Sequence, residues 1–409
     1  MKKRSVVLFV LAMQVLAVFT VRAQSYLVSQ APDRIILNLT ESPQGSMAVT
    51  WRTVEEFPNS GVQYAVATPW TEFKKALTKA AAQSERFEIA DQQSVFHYSA
   101  VLKDLKPGVL YVYRVGHDSV WSEWNQFTTA RKEPEPFKFV YLGDPQNDIS
   151  EHVSRVFREA YKLAPDAAFW LYAGDLVAYP YDSLWSEFFS AAGFIARTTP
   201  SIMVPGNHDQ SVVMVDGKEK RLKKTDPIWN AHFTLPQNGL VGLEETSYYL
   251  DYQGVRFIML NSNEKLREQA DWMEKKLAGN QNKWTIVSFH HSFYSMARDR
   301  DNKELRDIFL PIFDKYHVDL VLQGHDHAYA RSFKLNNGAV IAENEAGTVY
   351  VISVSGPKAY AITTKFEKLM AKIGNQISLF QVLSVEGNKL SFVSYTASGE
   401  VYDAFELRK

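Results

Sequence analysis

The chain has 409 residues, enough for two or more domains, and its 46% apolar and 22% charged residues are the balance of a globular protein rather than a disordered one. A formal net charge of −1 leaves no basic field of the kind that holds nucleic acid, and no nucleic-acid-binding signature is present. There is no cysteine, so neither disulfides nor thiolate-held structural zinc enter the argument.

The first residues read as an address. Lys2-Lys3-Arg4 precedes an apolar segment, residues 6–18, and Val21-Arg22-Ala23 offers small residues for cleavage. This predicts a signal peptide over residues 1–23, with Gln24 as the mature start. The apolar segment is shorter than the ~20 residues a membrane span needs. No later run is long and apolar enough to span, and no cysteine is available to carry lipid. The expectation is a periplasmic or secreted protein with no membrane span after cleavage.

Residues 24–130 alternate in short, β-rich runs. Met47-Ala48-Val49-Thr50-Trp51-Arg52 alternates, as does Val109-Leu110-Tyr111-Val112-Tyr113-Arg114-Val115 after the turn at Lys106-Pro107-Gly108. Such spacing predicts an all-β sandwich with Trp51, Tyr111 and Tyr113 in its core. Residues 131–136, rich in proline and charge, read as a linker. From 137 to 409, strands alternate with helical periods, which predicts a layered α/β domain. Helices are expected over 150–163, 184–195, 268–277 and 303–316, and later strands over 348–354, 381–385 and 389–394. Residues 212–225, polar and lysine-rich, read as a surface loop near the site.

Five apolar runs in this region stop at polar clusters. Residues 137–142 run into Gly143-Asp144, 168–173 into Gly174-Asp175, and 201–205 into Gly206-Asn207-His208-Asp209. Residues 284–289 run into His290-His291, and 318–323 into Gly324-His325-Asp326-His327. Near-continuous apolar runs of this length read as strands buried on both faces, and open α/β sheets collect ligands at the carboxyl ends of their strands. The glycines let the chain turn sharply and come close to an ion. The histidine pair alone is equally compatible with capping a turn; five coincidences in order are hard to explain by packing.

Two aspartates, one asparagine and three histidines form a mixed oxygen and nitrogen set. Six donors exceed one tetrahedral ion but suit two ions about 3.5–4 Å apart that share a carboxylate, the arrangement used in phosphoryl displacement. If Asn207 binds metal, His208 points past the pair, where it can protonate a leaving alkoxide, with Asp209 expected to fix that imidazole's tautomer.

The series Gly143-Asp144, Gly174-Asp175, Gly206-Asn207-His208-Asp209, His290, and Gly324-His325-Asp326-His327-Ala328-Tyr329-Ala330-Arg331 resembles the calcineurin-like metallophosphoesterase superfamily. The preceding sandwich, with Leu105-Lys106-Pro107-Gly108 and Tyr111-Val112-Tyr113-Arg114-Val115-Gly116, is similar to the fibronectin type III-like N-terminal domain of the purple acid phosphatase branch. The resemblance covers roughly residues 30 to 400. It implies an α-β-β-α layered catalytic domain with two divalent or trivalent ions (Fe, Zn or Mn). Asp144 and His327 would hold the first ion, Asp175 would bridge, and Asn207, His290 and His325 would hold the second. It also implies phosphomonoester hydrolysis of a small phosphorylated substrate, with a hydroxide nucleophile from the metal pair and His208 as proton donor. His291 is expected beside the ligands rather than among them, and Arg331 to be structural.

Departures from the family pattern fall on the first metal and on substrate contacts. The family completes the first site with a histidine, here Gln146, or with a tyrosine whose iron charge transfer gives the purple colour, here Ala178; Tyr179 lies one residue on. The Gln146 amide oxygen is therefore a candidate ligand, and a colourless protein with a harder or readily exchanged first ion is expected. Where the plant-type enzymes carry substrate-contacting histidines this chain has Asp299 and Arg300, with Arg298 beside them, and either arginine can bind phosphate. Ser292 replaces the family's proline. Two alternatives stand beside phosphomonoester hydrolysis: a phosphodiesterase or nucleotide hydrolase on the same site, and a non-catalytic surface binding protein with a vestigial metal site.

Overall fold

Five of the strands that end in polar clusters lie parallel, in two separate sheets, so their carboxyl ends share one edge of the molecule. The computed structural model describes residues 29–89 and 93–409; the expected signal peptide lies outside the described residues. In the first sheet Phe137–Leu142, Trp170–Tyr172 and Ser201–Met203 pair in parallel register, Val140 opposite Trp170 and Trp170 opposite Ser201. In the second sheet Val255–Met259, Trp284–Ser288, Leu320–Gln323 and Val349–Ile352 do the same.

The parallel strands of both sheets are buried on both faces, and alternation along them shows how. Phe257, Ile286, Leu320, Leu322 and Val351 point inward to a core shared with Phe139, Phe169 and Leu171 of the first sheet. Their neighbours Ile258, Val287, Val321 and Ile352 point outward, onto Met273, Leu277, Phe309 and Phe313. Those four come from the helices Leu266–Ala278 and Lys303–Tyr316. On the far side, Ser154–Leu163 and Asp182–Ala192 cover the first sheet with Val156, Phe157, Trp185 and Phe188. The result is the α-β-β-α layering expected, with the core between the sheets.

The four expected helices are present, the second split by Gly193 into Asp182–Ala192 and Phe194–Thr198. One expectation fails. Residues expected to form a loop make a two-stranded hairpin, Gln210–Val215 with Lys218–Thr225. Most of its side chains are exposed, so no buried face marked it, and its Asp216-Gly217 turn was the available signal.

The N-terminal sandwich has Trp51, Tyr111 and Tyr113 buried as expected. It is not merely tethered. Its strand Asp33–Asn38 pairs in parallel with Ser201–Met203 at Asn38 and Ser201, so one ten-stranded sheet runs through sandwich and catalytic layers. Asn38 clasps the join: its amide donates to Ser201 O (3.1 Å) and accepts from Thr234 N (3.1 Å). Arg34 and Arg52 of the sandwich both meet Asp182, each at 2.7 Å, and Arg52 also binds Asp33 through two nitrogens.

Two histidines are packed into this junction, His97 from the sandwich and His232 from the catalytic domain, ring to ring at 4.7 Å. Arg34 donates to His232 Nε2 at 2.9 Å. Burial, with Arg34 and Arg52 adding to it, holds His97 well below the usual histidine range. Burial, His97 and the two arginines do the same to His232. Both are therefore neutral when folded but take protons in the unfolded chain below pH ~6.5, so their contribution to stability is present above that pH and lost as pH falls. The unfolding midpoint should drop between pH 7 and pH 5, and less steeply in the His97→Gln/His232→Gln variant. An identical pH slope in variant and parent would refute this.

Candidate metal centre

Each site residue is delivered by the loop after a parallel strand, and the backbone is strained where it does so. Asp144, Asp175, His325 and His327 have positive φ (47°, 53°, 77° and 48°), a conformation unfavourable for residues with a Cβ that persists where surrounding structure enforces it. The glycines act differently from expectation. A Cβ on Gly206 would lie 2.1 Å from Asp175 Oδ1, and one on Gly324 would lie 2.3 Å from Asp144 Oδ2. The space they leave admits a ligand side chain, from the neighbouring strand at Gly206 and from the facing sheet at Gly324, rather than an ion.

Five of the six expected ligands converge, and Asn207 lies on the loop whose next residue, His208, donates its backbone N–H to Asp175. Ligand atoms of Asp144, Asp175 and His327 lie within 4.8 Å of one another, and so do those of Asp175, His290 and His325. Asp175 belongs to both groups. Its Oδ2 is 3.2 Å from His290 Nε2, and its Oδ1 accepts the His208 backbone N–H at 2.7 Å. His290 Nδ1–H donates to Ala173 O at 2.8 Å, which turns Nε2 inward, 3.1 Å from His325 Nδ1. Asp144 Oδ1 and Asn207 Oδ1 are buried without a hydrogen-bond partner. Orphaned oxygens opposed to imidazole lone pairs fit cations and fit little else.

The electrostatics agree. Burial, reinforced by Asp175, pushes the Asp144 carboxyl well above the usual range, with His290 opposing. Burial alone would lower His290, but Asp175 and Asp144 override it and raise it to about 9. Burial would likewise raise Asp175; contact with His290 and His208 holds it below the usual range. His291, held below the histidine range at about 3 by burial and His290, bonds Ser262 Oγ at 2.8 Å and packs 4.3 Å from the His325 ring. It stands beside the ligands, as expected.

Gln146 is fully buried inside the first group. Its amide nitrogen is 2.8 Å from Asp175 Oδ2 and 3.2 Å from His327 Nε2, and its amide oxygen has no partner. Tyr179 is elsewhere: its ring stacks on Tyr181 at 5.3 Å and lies under the Arg221 guanidinium.

His208 is half-buried, and its Nδ1–H donates to Ala178 O at 2.7 Å, leaving Nε2 free. Burial lowers its pKa, with Arg221 and Lys358 adding to the effect while Asp175 and the Ala178 carbonyl oppose it. The expectation for Asp209 needs correcting. Its carboxylate does not orient the imidazole; Oδ2 accepts Asp175 N (2.9 Å) and Gly206 N (2.8 Å), and Oδ1 accepts Leu176 N (3.3 Å). It clamps two ligand loops together by their backbones. Burial and Asp175 push it up to about 7.

Of the two candidate arginines, Arg298 is exposed, while Arg300 donates to His325 O at 2.5 Å and lies over the Tyr360 ring. Ser292 has a role of its own here: its hydroxyl and that of Ser295 donate to Asp326 at 2.9 Å, tying the His290 loop to the His325 loop. Arg331 binds Asp403 through two nitrogens and is structural.

Three residues went unpredicted. Tyr360 sets its ring against His327 at 4.9 Å, and Lys358 lies over Tyr360 and lowers the pKa of both His208 and His327. Both follow Val349–Ile352, a further parallel strand whose apolar run stops at Ser355-Gly356-Pro357, the same pattern as the five runs that end at ligands. The third is Arg221, on the hairpin.

Comparison with known proteins places this geometry. Residues 137–329 match the calcineurin-like phosphoesterase model, so this segment is a domain of that type. Residues 32–129 match the N-terminal domain of purple acid phosphatases, so the chain's two-domain organisation is that of the purple acid phosphatase type. An uncharacterized protein of Mycobacterium tuberculosis is 27% identical over 332 residues, 71% of this chain and 60% of the relative, so this chain spans under two thirds of that relative's length. The Fe(3+)-Zn(2+) purple acid phosphatase 12 of Arabidopsis thaliana is 23% identical over 359 residues, 82% of this chain and 74% of the relative. The fold is that of purple acid phosphatase PPD1 from yellow lupin seeds, with a TM-score of 0.78 at 21% identity over 92% of this chain and 74% of that one.

Two outcomes test the centre. Asp209→Ala should weaken metal binding by about 10–100-fold, as loss of a ligand-supporting group does; titration of the metal-stripped protein would show it, and unchanged affinity would refute the clamp. With Ala178 where the purple enzymes carry tyrosine, iron-loaded oxidised protein should show no visible tyrosinate band.

Proposed function

We propose that the chain is an exported metal-dependent phosphatase that hydrolyses small phosphomonoesters. The observation that carries the reading is the pair of donor groups sharing Asp175 beside an imidazole whose Nε2 is free. When bound, two ions at these groups supply Lewis-acid activation of the phosphoryl oxygens and of water. Asp144, Asp175 and His327 would hold the first, with the Gln146 amide oxygen as a fourth donor once the amide turns over. Asp175, Asn207, His290 and His325 would hold the second. An oxygen-rich first site favours a harder ion than an imidazole-completed one would.

The remaining chemistry belongs to side chains. His208 presents Nε2 to the leaving oxygen and donates its proton as the ester bond breaks. Arg300 and Lys358 flank the site through Tyr360. Two added cations suit the dianion of a monoester better than the single charge of a diester, which favours the monoester over the diesterase reading. Among the described residues no helix is long and apolar enough to cross a membrane; export rests on the basic and apolar segment at residues 2–23.

Metal-reconstituted protein should hydrolyse p-nitrophenyl phosphate well and its bis ester poorly. His208→Ala should keep its metal and lose about 10²–10⁴-fold in kcat on an alkyl phosphate. If neither ester turns over with any divalent metal the enzymatic reading fails, and faster turnover of the bis ester would make this a diesterase.

A further inference from the structure

The hairpin Gln210–Val215/Lys218–Thr225 begins directly after Asp209, and most of its side chains are exposed, Met214 at 65%. Its two ends, Gln210 and Thr225, are buried, and between them Arg221 is the side chain that ties the hairpin to the His208 loop. One guanidinium nitrogen donates to His208 O at 2.9 Å and lies 3.3 Å from Asn207 O. The other donates to Ala178 O at 2.7 Å and sits 3.0 Å from His208 Nδ1. The guanidinium rests on the Tyr179 ring, 4.5 Å from its centroid, and Tyr179 stacks on Tyr181, whose hydroxyl donates to Glu219 of the same hairpin.

The Ala178 carbonyl thus accepts from two donors, the imidazole Nδ1–H and Arg221. Three carbonyls and one ring surround a single planar fork. A lysine's point-like ammonium cannot serve such a set at once.

We propose that Arg221 is a positioning residue for proton donation to the leaving group. It fixes the Ala178 carbonyl and the backbone at Asn207 and His208, and through them the tilt of the His208 ring that presents Nε2. This rests on the reading of His208 as the proton donor. In the step served, the bond from phosphorus to the ester oxygen breaks with its electron pair on that oxygen, which takes the Nε2 proton. The imidazole is left neutral with Nδ1–H still on Ala178, and the water that adds to phosphorus releases the proton that restores it.

Proton donation matters for an alkoxide, which leaves poorly, and hardly at all for dinitrophenolate, which leaves without help. The test compares glycerol 2-phosphate with 2,4-dinitrophenyl phosphate in metal-loaded full-length parent, His208→Ala, Arg221→Gln, Arg221→Lys and the His208→Ala/Arg221→Gln double variant. Metal content and unfolding midpoint are measured on each. Arg221→Gln should lower kcat on glycerol 2-phosphate by about a hundredfold, the scale of an ångström-sized misplacement. It should leave kcat on the dinitrophenyl ester within about threefold and KM for both little changed. Arg221→Lys should recover only part of the loss, and it carries the test if Arg221→Gln does not fold. In the His208→Ala background, Arg221→Gln should cost nothing further.

Equal losses on both esters, a rise in KM alone, or a further loss in the His208→Ala background would overturn the proposal and make Arg221 a phosphate contact or a brace. If His208→Ala itself fails to discriminate the two esters, the proton-donor reading falls instead. Tyr181→Phe cuts another tether of the hairpin without touching His208 and should discriminate neither ester; if it reproduces the Arg221→Gln pattern, hairpin attachment and not Arg221 is responsible.

Discussion

Asp144, Asp175 and Asp209 are all buried in one place, and three carboxylates in a low-dielectric site cannot all ionise without compensation. The site resolves this by giving each a different partner. Asp209 is satisfied by backbone N–H groups. Asp175 is held by His290 and by the His208 backbone. Asp144 Oδ2 accepts the His325 N–H at 2.6 Å while Oδ1 has no hydrogen bond and faces His327 Nε2 at 3.6 Å. The uncompensated remainder is what calls for cations, and Asp175 is where it is shared. Because Asp175 is reached from the His290 loop, the Asn207–Asp209 loop and Gln146 at once, both sheets must keep their register for the carboxylate to be where it is.

That dependence explains the cross-links between ligand loops. Ser292 and Ser295 bind Asp326, between the two histidines of the last loop, so the strands carrying His290 and His325 cannot shift independently. Ser355 N and Gly356 N donate to the carbonyls of Gly143 and Asp144, which pins the first-sheet ligand loop to the loop after Val349–Ile352 of the other sheet. The positive φ values at four ligands are the local cost of these ties, on the order of 1 kcal/mol each. Strain of this kind persists only where the framework is stiffer than the loop, and here the framework is the parallel strands of two sheets, buried on both faces.

The ligands were legible in the sequence because each obeys a rule that acts over a few residues: an apolar run, a turn, a donor. The same rule would have found Lys358 and Tyr360 had the run ending at Ile352 been counted with the others. What was not legible depended on contacts between distant segments. Nothing near Asp209 shows that its carboxylate turns back to Asp175 and Gly206 instead of on to the adjacent imidazole. Nothing near Arg221 shows that it crosses to Ala178. The pairing of Asn38 with Ser201, which makes sandwich and catalytic sheet continuous, joins residues 163 apart, and a proline-rich linker between domains pointed the other way.

Ala178 shows how little a missing side chain says about a position. The purple enzymes place a metal-binding phenol there, and its absence removes a ligand from the first site. Its carbonyl, which does not depend on the side chain, accepts from both the His208 Nδ1–H and Arg221. A tyrosine at 178 would keep that carbonyl, so donor positioning and metal completion are separable functions of one residue, the first carried by main chain and the second by side chain. The neighbouring aromatic, Tyr179, is occupied under Arg221 and has been drawn to the proton-donor side of the site. The first site is then left to Gln146, whose amide is already enclosed between Asp175 and His327. An amide oxygen is neutral and hard where a phenolate is charged and redox-active, so an ion held at Asp144, Asp175 and His327 would lack the donor that gives the purple enzymes their colour.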